Sequence, residues 1–209
     1  MKLLKIISTN VLLIGGMLSF STQKIQAQSD GSFNKAGFGV KGGLNYATIT
    51  KGDFDEGPDA RTSFYVGATA EIPLIDDSFS IQPEVIYSRQ GFERNYSFLG
   101  SDYTAEYQLD YINVPVLAKL YIVKGFSVEA GPQFGFKINE KIDLDAGDDD
   151  EGNDLDEVND FDMGLAAGLT FQFDGGLFIN GRYNHSFNEV IKDSDAKNSV
   201  IQFGLGYKF

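Results

Sequence analysis

The chain has 209 residues, no Cys and no Trp, 24 Gly, 18 Phe and a formal net charge of −13. Its length suits one domain, the lack of Cys excludes a disulfide framework or thiolate metal site, and the acidity argues against nucleic acid as a partner. High Gly with many Phe and Tyr favours strands over helices.

The first segment reads as a leader. Lys2 and Lys5 form a positive start, Ile6 to Phe20 is mostly apolar, and Ile25-Gln26-Ala27 ends a polar stretch before Gln28. This predicts an exported protein with a signal peptide over 1–27 and a short periplasmic tail over 28–35. The apolar run is too short for the ~20 residues of a spanning helix. No Cys follows it, so a lipoprotein leader is excluded.

From residue 36 onward the pattern is period two, which marks strands with one apolar and one polar face. The first strand is expected over about Ala36–Tyr46, with Phe38, Val40, Leu44 and Tyr46 on one face and Lys41 opposite. The second covers about Ser63–Leu74, with Glu71 on its polar face. The third covers about Ser78–Ser88, with Phe79, Ile81, Val85 and Tyr87 against Gln82 and Glu84. A loop is expected over about Arg89–Tyr103. The fourth strand ends near Tyr121, with Ile112, Val114, Val116, Ala118 and Leu120 against Asn113 and Lys119. The fifth, about Phe126–Ile138, sets Phe126, Val128, Phe134 and Phe136 against Glu129 and Lys137. An acidic loop over about Asn139–Asp160 leads to the sixth strand, about Phe161–Phe173. Asp174-Gly175-Gly176 is a hairpin turn signal. The seventh strand is about Leu177–Ser186, with Arg182 on the polar face, and the last loop is about Phe187–Asn198. The eighth strand is Ser199–Phe209, where Ile201, Phe203, Leu205, Tyr207 and Phe209 alternate with Gln202, Gly204, Gly206 and Lys208.

Eight strands of about 9–11 residues, joined by alternating long and short connections, match a membrane barrel. The expected fold is all-β: an eight-stranded antiparallel up-and-down transmembrane β-barrel with long extracellular loops and short periplasmic turns, its domain spanning 36–209. A closed sheet must pair its last strand with its first. A soluble barrel has to pack the Phe-rich face inside, where it overfills a small lumen. The polar face therefore lines the lumen. Its charges, Lys41, Glu71, Glu84, Lys119, Glu129, Lys137, Arg182 and Lys208, read as a structural network that fills the interior. Tyr46, Phe64, Tyr87, Phe136, Phe161 and Tyr183 form one aromatic girdle, and Phe38, Phe79, Phe126, Phe173 and Tyr207 the other. Pro83, Pro115 and Pro132 fall inside strands, where bulges or gaps are expected. A short turn after the fourth strand sets Lys119 opposite Glu129 and Leu120 opposite Val128.

Two segments, Ile81-Gln82-Pro83-Glu84-Val85-Ile86-Tyr87-Ser88-Arg89-Gln90-Gly91 and Tyr111-Ile112-Asn113-Val114-Pro115-Val116-Leu117-Ala118-Lys119, resemble the PorT-like outer-membrane β-barrel proteins of Bacteroidetes. Ala130-Gly131-Pro132, Gly181-Arg182-Tyr183-Asn184 and Gly204-Leu205-Gly206-Tyr207-Lys208-Phe209 extend the likeness along the chain. The resemblance implies an eight-stranded barrel in the cell outer membrane, and one branch is tied to a secretion system for surface proteins. The terminal alternation Phe203, Leu205, Tyr207, Phe209 resembles the signal that barrel-insertion machinery recognises.

Two functional readings follow. One is a barrel without catalytic activity or cofactor, held by outer-membrane lipid and acting as a structural or accessory partner of a secretion or surface assembly. The other is a lipid-modifying outer-membrane enzyme using the single histidine, His185. Its neighbour Ser186 points to the opposite face, so an enzyme needs a membrane-facing Ser from elsewhere. The carboxylates from Asp143 to Asp160 invite divalent cations, but their spacing is not that of an EF-hand. They read as a wet, self-repelling loop rather than a metal site.

Overall fold

Alternating side chains do not make a barrel until every strand edge is paired. In the computed structural model, which describes residues 35–50, 59–98, 101–144, 158–191 and 195–209, that pairing is complete. The strands are β1 (Gly37–Ile49), β2 (Asp59–Ile75), β3 (Phe79–Phe98), β4 (Ser101–Val123), β5 (Phe126–Leu144), β6 (Phe161–Gln172), β7 (Leu177–Glu189) and β8 (Lys197–Lys208). Each pairs antiparallel with the next, and β8 returns to β1 to close the barrel. The closing seam runs from Gly39↔Lys208 to Ile49↔Asn198. Beyond it the Phe209 amide donates to the Phe38 carbonyl at 2.8 Å. The expected leader and most of the polar tail, residues 1–34, lie outside the described residues, as do the carboxylates at 145–157.

The turns at one end are tight. Gly175 and Gly176 both adopt positive φ, 97° and 94°, which the β6–β7 hairpin demands and a Cβ would oppose. At the other end the structure departs from expectation. Where a loop is expected over Arg89–Tyr103, the strands continue, and β3 and β4 pair out to Phe98↔Ser101. β5 likewise runs on to Leu144, into the stretch read as acidic loop. With 20, 23 and 19 residues, β3, β4 and β5 outrun the about 9–11 that a membrane crossing needs. The polar composition of these extensions hid them. Backbone pairing to a neighbour already in place outweighs weak local strand preference.

Pro83, Pro115 and Pro132 sit at gaps without slips. Between β3 and β4 the ladder skips from Pro83↔Val116 to Ile86↔Asn113, and between β4 and β5 from Pro115↔Gln133 to Ala118↔Ala130, with the register unchanged. The register shifts lie elsewhere, at Pro73/Ile75, Asp110/Tyr111, Tyr121/Val123, His185/Glu189 and Ala60/Tyr65.

The two faces separate by polarity. Phe38, Leu44, Val66, Val85, Leu120, Leu169, Phe203 and Leu205 are exposed on the outside, while Asn45, Glu84, Ser88, Lys119, Glu129, Arg182 and Gln202 are buried inside. In water this would be inside-out. In lipid it puts apolar surface against acyl chains and lets the polar groups pair with one another.

Candidate functional site

The interior charges fall into two groups set by strand parity. The central layer comes from the odd strands: Lys41 on β1, Glu84 on β3, Glu129 on β5 and Arg182 on β7. Arg182 holds both carboxylates, at 2.6 and 3.0 Å to Glu84 and at 2.5 and 3.1 Å to Glu129. Lys41 Nζ lies 2.8 Å from Glu84 Oε2. Gln82 donates to Glu84 at 2.7 Å, and Thr170 donates to Glu129 at 3.3 Å. Two cations and two anions balance here, which a fully buried site requires.

The second layer lies nearer the tight turns and comes mainly from the even strands: Glu71 on β2, Lys119 and Tyr121 on β4, and Lys208 on β8. Glu71 accepts from Tyr121 Oη at 2.6 Å, Ser80 Oγ at 3.0 Å, Lys208 Nζ at 3.0 Å and Lys119 Nζ at 3.3 Å. Lys119 is therefore opposite Glu129 in the ladder, with Leu120 opposite Val128, as the short turn predicts. Its charge nevertheless goes to Glu71, while Glu129 goes to Arg182. Strand tilt explains the split: registered neighbours sit at different heights, and side chains from alternate strands share a layer.

Lys137 joins neither layer. It is half-buried at the opposite mouth, pairing with Glu140 at 2.7 Å and Asp160 at 3.2 Å and donating to the Val158 carbonyl at 3.0 Å. Of the terminal pattern, Phe203, Leu205, Tyr207 and Phe209 all face outward and are exposed.

The polar-face reading overlooked the large rings inside. Tyr65, Tyr111, Tyr121 and Phe178 are all buried. Tyr65 Oη donates to Asn180 Oδ1 at 3.3 Å. The inward glycines were the available signal: a Cβ at Gly204 would strike the Tyr65 hydroxyl, and one at Gly206 would strike the Phe178 ring. The other missed feature is an apolar cap at the mouth opposite the tight turns. Ile49, Phe92, Leu109, Tyr111, Val158, Val190 and Ala196 form one buried cluster, and Phe92 stacks on Tyr107 at 4.6 Å. The stretch expected as the last loop thus contributes Val190 and Ala196 to a core.

On the outside, Tyr183 and His185 stack at 6.2 Å between ring centres and 15° between planes. Ser199 is the cross-strand partner of His185 and shares its outward face. The Tyr183 hydroxyl shares a hydrogen bond with Ser199 Oγ at 3.0 Å and lies 3.5 Å from His185 Nδ1. The membrane-facing Ser that an enzyme would need is present. Its hydroxyl, however, bonds the tyrosine and not the imidazole that would have to activate it. Among the described residues no His, Asp or Glu cluster has the geometry to hold a metal ion.

A family model described as outer membrane protein beta-barrel domain matches residues 26–192. The chain belongs to this family. Solved barrels share its fold. The attachment invasion locus protein Ail of Yersinia pestis is 14% identical, with a TM-score of 0.50, covering 84% of this chain and 100% of its own. Neisserial surface protein A is likewise 14% identical, with a TM-score of 0.57, covering 84% of this chain and 99% of its own. No curated protein sequence matches significantly. The family, together with an apolar outer face over a polar closed lumen, places this barrel domain in the cell outer membrane.

Proposed function

We propose that this barrel is a non-catalytic outer-membrane protein of the PorT-like branch, a structural or accessory partner of a secretion or surface assembly. The observation that carries the reading is the filled lumen: two ionic layers, both buried, cross the interior between the tight turns and the apolar cap. Eight strands enclose room for side chains and little else. A barrel so filled works through its surfaces. Residues 1–27 act as a cleaved signal peptide, 28–35 as a periplasmic tail, and 36–209 as the barrel. An even strand count returns both ends to the periplasm, so the connections after β1, β3, β5 and β7 face outside. The strand carrying Phe203, Leu205, Tyr207 and Phe209 engages the insertion machinery.

Recording from the refolded full-length barrel in planar bilayers tests the filled lumen. The expected result is no steady conductance; open-channel current would overturn the reading. Affinity purification from native membranes then names the partner. Protease added to intact cells should cut within residues 145–157, and cleavage only after the periplasm is opened would reverse the orientation.

Ser199 opposite His185 supports a second reading, a lipid-modifying enzyme. Release of fatty acid from outer-membrane lipid by the purified barrel, abolished by Ser199→Ala, would establish it.

A further inference from the structure

The carboxylates of both ionic layers have cations, and one buried carboxylate outside the layers does not. Asp162 on β6 points inward and is 7% exposed. Its Oδ2 accepts from Ser186 Oγ at 2.7 Å, with the neutral Asn198 amide nearby. Its Oδ1 is buried with no hydrogen-bond partner. Among the described residues no ion pair reaches Asp162. Lys137, two positions along β5 from the ladder partner of Asp162, is committed to Glu140, Asp160 and the Val158 carbonyl. A single negative charge is thus left in a dry part of the lumen, where balance has to come from close by.

The neighbours of Asp162 supply a second oxygen. Asn113, Gly135 and Asp162 are successive cross-strand partners on β4, β5 and β6, and all three are buried on the inward face. The middle position has no side chain. A Cβ there would lie 2.8 Å from Asn113 Oδ1, 3.2 Å from Asp162 Cβ and 3.5 Å from the Tyr111 ring of the apolar cap. Glycine therefore leaves a saddle between an amide oxygen and a carboxylate. We infer that the Asn113–Gly135–Asp162 saddle binds a monovalent cation of sodium or potassium size, with the Asp162 carboxylate and the Asn113 amide oxygen as its protein ligands. Sodium is the size of calcium and contacts oxygen at about 2.4 Å, which the saddle admits. A proton on Oδ1 would cancel the charge but create a buried O–H with no acceptor in reach. A cation cancels the charge and gives Oδ1 a partner. One carboxylate carries one charge, so a divalent ion would leave the site positive; calcium takes about six to eight oxygens, several of them from carboxylates. Such a site needs no cluster of acidic or histidine ligands, and it adds an ion to the lumen whatever surface the barrel works through.

The refolded full-length barrel, in zwitterionic micelles prepared without sodium or potassium, would be titrated with sodium chloride. Fixed pH and N-methylglucamine chloride would hold all else constant, and potassium and calcium chloride would be run in parallel. The signal is the carboxyl carbon resonance of Asp162, assigned as the one missing from Asp162→Asn. A saturable shift with sodium or potassium is expected, and none with N-methylglucamine. Asn113→Ala should weaken binding about tenfold, the loss of one polar contact to a charged group. Gly135→Ala keeps both ligands but sets a methyl in the saddle, and should abolish the shift. The urea midpoint of the parent should rise with sodium, because only the folded barrel binds it, while that of Asp162→Asn stays flat. A resonance that answers to pH and ignores the cations would show a protonated carboxyl and overturn the proposal. So would saturation by calcium at a lower concentration than sodium, or a Gly135→Ala variant that titrates like the parent.

Discussion

The two ionic layers use the same residue types for different electrostatic problems. In the central layer Arg182, Glu84 and Lys41 have side chains 1% exposed or less, and two cations meet two anions. In the turn-side layer one carboxylate, Glu71, serves two ammonium groups, and Lys208 retains 11% side-chain exposure. A buried site has to balance within itself, because no solvent supplies the missing charge. A site near an opening does not. The charge ratio of each layer follows from its distance to water.

Breaking the central layer should cost most. Arg182→Leu leaves the Glu129 carboxylate buried without a cation and should lower stability by about 3–5 kcal/mol in urea unfolding of the refolded barrel. The double variant Arg182→Leu, Glu129→Leu preserves the Lys41–Glu84 pair and should recover most of that loss. No recovery would mean that Arg182 acts through packing, and the contrast between the layers would fail.

The matching change in the turn-side layer is Glu71→Gln. It preserves oxygen for Tyr121 and Ser80 but takes the anion from Lys119. A cost of about 2 kcal/mol is expected, within the range for charged hydrogen bonds and below that of Arg182→Leu. Equal costs would show that both layers are equally dry.

A pair beyond the apolar band sets the wet extreme. Arg89 donates to Asp110 at 2.9 Å with its own side chain 32% exposed. It lies past the Tyr87↔Ile112 level, on the extension of β3. Burial pushes the Asp110 carboxyl up, but hydrogen bonds from Arg89, Asn139 and Tyr87 outweigh it and hold the group below its usual range. A carboxyl depressed by folding stabilises above its unfolded pKa, and that contribution fades as pH falls through the folded value. Arg89→Gln should therefore cost about 0.5 kcal/mol at pH 7, and the difference from the parent should shrink below about pH 4. A difference that persists in acid would assign the effect to the Arg89 contact with the Phe64 ring at 5.5 Å.

Phe209 tests the comparison from outside the lumen. It is 75% exposed and meets Tyr207 edge-on at 5.5 Å. Phe209→Ala should barely change refolding in detergent, while the yield of inserted barrel in cells falls sharply. Parallel losses in both assays would make Phe209 a stability residue.

Strand number, the inside and outside of each strand, the closing seam and the Lys119↔Glu129 register were all legible in the chain. They depend on period two and short turns, which are local properties. Seven of the eight charges expected inside join the two layers, and the eighth, Lys137, pairs at the mouth. Which charge pairs with which was not legible. Arg182 and Glu84 are 98 residues apart and on non-adjacent strands, and only barrel tilt brings them to one height. The strand extensions past Arg89 were hidden because pairing, not composition, makes them strands. Ser199 came to His185 only through the β7–β8 ladder, whose register alternation along either strand does not encode. Alternation along a strand decides which way a side chain points, and closure of the sheet decides what it meets there.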